Sequence, residues 1–131
     1  MKIKELADRH PELLEAILAK STGAIGEILV ADAISKLGYT VSPTNNNAFQ
    51  YDLDVISPSG QRFGVEVKTD RQRRPTWFVR SRPSLEAARI WVFVSAPRAP
   101  TELPATEDVQ MYVLTGQETQ AIWDSSEWNK N

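Results

Sequence analysis

The side chains best suited to chemistry lie between residues 51 and 70, in Tyr-Asp-Leu-Asp-Val-Ile-Ser-Pro-Ser-Gly-Gln-Arg-Phe-Gly-Val-Glu-Val-Lys-Thr-Asp. Asp52 and Asp54 alternate with Leu53 and Val55. Glu66 and Lys68 alternate with Val65 and Val67. Residues two apart on a strand share a face, so each acidic set points away from its apolar neighbours. Ser57-Pro58-Ser59-Gly60 supplies a turn, because proline presets φ and glycine accepts φ > 0. Joining Ile56 to Gln61 across that turn sets Asp52 opposite Val65, beside Glu66, and Asp54 opposite Phe63. Carboxylates from two strands and one lysine then converge. Adjacent carboxylates repel and raise each other's pKa unless a cation lies between them. Mg²⁺ suits such a site, since it takes one or two carboxylates and completes its shell with water and phosphate oxygens. A lysine beside the ion can steady an attacking hydroxide or a phosphate charge. The chemistry this implies is metal-assisted hydrolysis of a phosphodiester. The competing structural reading is an amphipathic hairpin with a solvated cross-strand ion pair.

The elements that must position this hairpin can be read outward from it. Residues 3–20 carry helical apolar spacing, broken at His10-Pro11, with Leu13, Leu14, Ile17 and Leu18 on one side of the second piece. His10, in a polar turn, is expected on the surface. Ser21-Thr22 opens a helix that Gly38 ends, with Ile25, Ile28, Leu29, Ala33 and Leu37 as its buried stripe. Gly23 and Gly26 in its first turn cost helical stability, which suggests close approach of another element. Glu27 there either complements the helix dipole or points toward the carboxylate hairpin. Residues 38–42 form a short strand or an extended exit from the helix, and Pro43–Ala48 a polar loop. After the hairpin come the basic loop 70–75, a strand over Thr76–Arg80 and a short helix over Arg82–Arg89. Ile90–Ser95 is an apolar strand fit for a central position, and Val109–Leu114 a further strand. A helix capped by Thr115 spans 116–123. Strands alternating with helices indicate an α/β layer domain.

Composition narrows the function classes. The 131 residues suffice for one domain with one core. Cysteine is absent and His10 is the only histidine. Disulfides, thiolate zinc sites, cysteine nucleophiles and His-rich metal sites are excluded. No 18-residue apolar run occurs, and the first residues lack the apolar core of a secretory signal, so a cytoplasmic location without membrane contact is expected. Net charge is −2, but residues 61–100 hold nine Lys/Arg against three Asp/Glu. A basic patch next to the acidic hairpin can hold a phosphate backbone despite the negative total. Arg71, Arg73, Arg74, Arg80 and Arg82 are its candidate phosphate contacts. Trp77, Trp91 and Phe93 read as core rather than as base-stacking platforms.

Taken in order, Gly26-Glu27 on the first long helix, Tyr51-Asp52-Leu53 on a strand and Val65-Glu66-Val67-Lys68-Thr69 on the next resemble the PD-(D/E)XK nuclease superfamily. That group includes restriction endonucleases and Holliday junction resolvases. The resemblance covers residues 21–95. It implies a restriction-endonuclease-like α-β-β-β-α-β core with a mixed sheet, in a single domain over 1–131. The helices of 3–20 and the strand and helix of 109–123 would be additions to that core. It further implies that Asp52 and Glu66 hold a divalent metal, with the Val67 carbonyl as an additional ligand. Lys68 would orient or activate water, and Glu27 would be a supporting acid. The implied activity is Mg²⁺-dependent cleavage of DNA, with Mn²⁺ as a substitute and no organic cofactor, of junction-resolving or repair type. The superfamily's Pro-Asp is Tyr51-Asp52 here. Asp54 shares a face with Asp52 and is the alternative ligand, although the hairpin pairing favours Asp52. Cutting both strands of a duplex needs two sites, so a homodimer is expected. A module of the same fold that binds DNA or serves structurally without catalysis is the alternative, and an RNA-directed nuclease a third reading.

Overall fold

The computed structural model describes residues 3–20, 24–44, 51–70, 77, 79, 82–83, 90–95 and 109–125. In chain order these form α1 (Ile3–Arg9), α2 (Pro11–Lys20), α3 (Ala24–Ser35), β1 (Thr40–Pro43), β2 (Leu53–Ile56), β3 (Arg62–Asp70), β4 (Ile90–Ser95), β5 (Gln110–Thr115) and α4 (Gly116–Ser125). The five strands make one mixed sheet in the order β1-β2-β3-β4-β5. Neighbours are antiparallel except β3 and β4, which run parallel. The chain is thus an α/β domain in which a parallel pair follows an antiparallel hairpin. No helix among the described residues is long and apolar enough to cross a membrane.

The two sheet faces differ in what covers them. Alternation sends Leu53, Val55, Val65, Val67, Val92 and Val94 to one face, where they bury against Leu6, Leu14, Ile17, Ala24, Ile28, Val30 and Ala31 of the helices. This is the main core. The other face carries Trp91 and Phe93, with Tyr51, Trp77, Val79 and Leu114 packed on them. β4 is buried at Trp91–Val94, as its unbroken apolar run anticipates.

Helix α3 lies against both the sheet and α2, so its buried positions exceed a single stripe. Gly26, Glu27, Val30, Ala31 and Asp32 are buried beside Ile28. Ile25 and Leu29 are half-buried, and Ala33 is exposed. Leu37, beyond the helix end, is 73% exposed. The expected stripe therefore holds only in part. Helical periodicity finds one face, and it cannot show that a second element will cover another.

A Cβ on Gly26 would overlap Thr69 Oγ1 and crowd the rest of that threonine side chain. The glycine lets the first turn of α3 settle onto β3. Gly26→Ala should lower stability by about 1–3 kcal/mol in a urea titration, since the helix must back away from the sheet. An unchanged midpoint would mean that α3 is free to shift there.

His10 is a correction to the surface expectation. Its Nε2 lies 2.7 Å from Asp32 Oδ1, and Lys36 Nζ and Arg9 Nη2 stand 3.1 and 3.5 Å from Oδ2. Burial alone would raise the Asp32 pKa. The His10 hydrogen bond, the Lys36 contacts and the Arg9 charge outweigh it and hold the carboxyl below its ordinary value. This cluster fixes the α1–α2 corner to α3 across 22 residues of sequence.

The expected strand over 76–80 is a second correction. Trp77 and Val79 are its described residues, and neither is in a strand. Their side chains pack onto Trp91 and Phe93 instead. The three strands between α3 and β4 are β1, β2 and β3. Of the expected helix over Arg82–Arg89, Arg82 and Pro83 are non-helical, and residues 84–89 lie outside the described set. The capped C-terminal helix is present as α4. The Glu118 N–H donates to Thr115 Oγ1 at 3.1 Å, and the Thr115 N–H to Glu118 Oε1 at 3.0 Å.

Candidate active site

The hairpin register differs by one residue from the sequence reading. Leu53 pairs with Val65, Asp54 with Gly64, Val55 with Phe63 and Ile56 with Arg62. The cause is the turn. The Ser57 N–H donates to the Gln61 carbonyl at 2.8 Å and the Gly60 N–H to the Ser57 carbonyl at 2.9 Å. Gly60 adopts φ +94°. The loop is therefore the three residues 58–60, a tight turn closed by a left-handed glycine.

Asp52 sits just before β2. Its N–H also reaches the Val65 carbonyl, at 3.0 Å, so residues 52 and 53 both meet Val65, a two-against-one arrangement. The offset turns the Asp52 carboxylate onto β3, where Oδ2 accepts the Val67 N–H at 2.8 Å. Thr44 holds the other side. Its N–H donates to the Asp52 carbonyl at 3.1 Å, and its hydroxyl to the Tyr51 carbonyl. The polar segment after β1 thus acts as a clamp at Thr44. Nothing in the local pattern marks that threonine. Residues 45–50 lie outside the described set.

Glu66 hydrogen-bonds to the Asp52 carboxyl group, so the two acids meet across the strands. Burial, that hydrogen bond and the Asp52 charge push the Glu66 pKa up to about 9, against the smaller opposing pull of Lys68 and the Val67 amide. Lys68 lies one pleat further along the same face, with Nζ 5.9 Å from the Trp91 ring centre.

Asp54 has a different partner. Arg62 forks it, with Nε 3.0 Å from Oδ1 and Nη2 2.7 Å from Oδ2. This pairing separates the two aspartates, between which the sequence pattern favoured Asp52. Asp54 is neutralised by an exposed arginine, whereas Asp52 addresses Glu66. Gly64 lies beneath the Tyr51 ring, which a Cβ at that position would strike. Tyr51 thereby closes one side of the acid pair.

Glu27 is 4% exposed in the first turn of α3. It follows Gly26, whose contact is Thr69, the residue after Lys68. Among the described residues no three His, Cys, Asp or Glu side chains gather as a metal-ligand set. Arg82 forks Asp124 of α4 at 2.9 and 3.0 Å, an exposed pair that occupies the guanidinium. Arg71, Arg73, Arg74 and Arg80 lie outside the described residues.

Trp91 is the neighbour of the site that sequence reading passed over as core. It pairs in register with Glu66, and the signal was its alternation with Val92 in the central strand. No family model, curated protein or solved structure matches this chain.

Proposed function

We propose that the chain is a divalent-metal-dependent endodeoxyribonuclease with a restriction-endonuclease-like core. The observation that carries this reading is the half-buried Asp52–Glu66 pair on one sheet face, with a lysine one pleat away. Two carboxylates forced into contact are costly as anions, and a cation between them removes the cost. The donor set fits Mg²⁺. Asp52, Glu66 and the Val67 carbonyl would hold the ion, leaving positions for water and phosphate oxygens. When bound, the ion supplies Lewis-acid activation of the phosphodiester.

The chain's own residues do the rest. Asp52 is fixed by three backbone hydrogen bonds, so its carboxylate is oriented before substrate arrives. Lys68 brings a positive charge to the face where negative charge develops during in-line attack, and can orient the attacking water. Glu27, beside the Gly26–Thr69 contact, is a supporting acid at the lysine end of β3. DNA binding would draw on the arginines between residues 71 and 82, and cutting both strands on two copies of the chain. The α/β sheet with a β2–β3 hairpin followed by parallel β4 is compatible with this core.

The two aspartates test the assignment. In Mg²⁺, Asp52→Asn should lower the cleavage rate at least about 100-fold, as loss of a metal ligand does. Asp54→Asn loses only the exposed Arg62 pair and should stay within about threefold. The reverse order, measured on one labelled DNA, would transfer the site to Asp54.

A further inference from the structure

Trp91 combines two features that a packing role does not explain. Its indole Nε1 is buried with no hydrogen-bond partner, and its ring lies under the Lys68 ammonium at 5.9 Å. Among the described residues that donor has no partner, and a buried donor left unpaired costs stability that a purely apolar ring would not incur. Tryptophan also offers the strongest ring quadrupole for a cation. Lys68 in turn makes no ion pair or hydrogen bond among the described residues. Among the described residues its ammonium lies over the indole face, and its charge acts on Glu66.

We propose that Trp91 is a positioning residue that seats the Lys68 ammonium beside Glu66. The ring is well placed to do so. Trp91 stands opposite Glu66 in the parallel ladder and Phe93 opposite Lys68. Phe93 stacks on Trp91 with centroids 6.1 Å apart and planes inclined by 21°, and Leu114 backs Trp91 from β5. Trp77 meets Phe93 edge to face at 5.5 Å and donates its own Nε1–H to the Val94 carbonyl at 2.9 Å. The indole is therefore locked from behind and presents a rigid face to a flexible lysine. An unseated lysine samples many rotamers, and a seated one keeps its charge over the acid pair.

The catalytic consequence rests on the nuclease reading, but the seating does not, and the test separates them. In the full-length protein, the Lys68 Hε resonances, assigned by comparison with Lys68→Ala, should be shifted upfield by the indole ring current. The shift should shrink in Trp91→Phe and vanish in Trp91→Leu. Cleavage of a labelled DNA in Mg²⁺ should show kcat reduced about threefold to tenfold in Trp91→Phe and further in Trp91→Leu, with KM within about twofold. Trp91→Phe exchanges the unpaired donor for a smaller ring, two opposing effects, and should melt within a few degrees of wild type. Unshifted Lys68 resonances in the wild type would overturn the seating. So would a Trp91→Leu protein that folds and retains wild-type kcat, or a kcat loss that merely tracks a falling Tm in Trp91→Phe. If the wild type cleaves no DNA, the nuclease reading fails, and the resonances alone decide whether Trp91 seats Lys68.

Discussion

Lys68→Ala should lose about three orders of magnitude or more of its Mg²⁺-dependent cleavage rate while melting within a few degrees of wild type. The lysine is half-buried at the edge of the aromatic cluster, and its contact is a ring rather than a hydrogen-bonding network. Among the described residues it makes no ion pair, and its charge acts on Glu66 only as a smaller effect, so the fold has little to lose. Catalysis has much to lose, because a fixed cation beside the reacting phosphate acts where negative charge grows, in a partly dehydrated site. DNA affinity, measured in Ca²⁺ to suppress cutting, should fall only slightly, since Lys68 is one of nine Lys/Arg between residues 61 and 100. Wild-type cleavage by the alanine variant would remove Lys68 from the mechanism.

The second large effect is on stability. Glu66 has an ordinary value of 4.5 and a folded value near 9. A group whose pKa is raised on folding stabilises fully below its unfolded value and loses that contribution as pH climbs toward the folded one. The metal-free protein should therefore weaken steadily between about pH 5 and 9. Glu66→Gln keeps a hydrogen bond to Asp52 without the charge and should flatten this slope. At pH 8 in EDTA the glutamine variant should be the more stable by on the order of 2 kcal/mol, or about 5 °C in Tm. Excess Mg²⁺ should raise the wild-type Tm and leave the variant nearly unmoved, because a ligand that binds only the folded state stabilises by mass action. Parallel pH curves for the two proteins would show that Glu66 is ionised and solvated in the fold.

Much of the site was legible because a strand has period two. Alternation groups Asp52 with Asp54 and Glu66 with Lys68 within each strand; the observed pairing of Leu53 with Val65, one residue from the expected register, is what puts all four on one face and Leu53, Val55, Val65 and Val67 on the helix side. The register was not legible to one residue. It depends on whether Gly60 closes a three-residue or a four-residue loop, which is settled by a single positive φ. Asp52 and Asp54 have the same neighbours in sequence. Arg62 and the Val67 amide distinguish them, through contacts made eight and fifteen residues away. The segment 76–80 has strand-like residues, yet Trp77 spends its ring on Phe93 and Tyr112 and its N–H on Val94. The edge strand Thr40–Pro43 falls where the sequence offered a short strand or an extended exit after the helix. His10 looks like turn punctuation until Asp32 arrives from another helix.

The central claim is that the Asp52–Glu66 pair holds a metal ion which cleaves DNA. Its most direct test is a labelled panel of duplex, single-stranded, flap and four-way-junction DNA with an RNA control. It would be incubated with the wild type and with Glu66→Ala, in Mg²⁺, in Mn²⁺ and in EDTA. The account predicts cutting of DNA by the wild type in either metal, none in EDTA and none by the variant. Cutting that survives EDTA or the loss of Glu66 would contradict it, as would salt-sensitive DNA binding with no cleavage of any substrate.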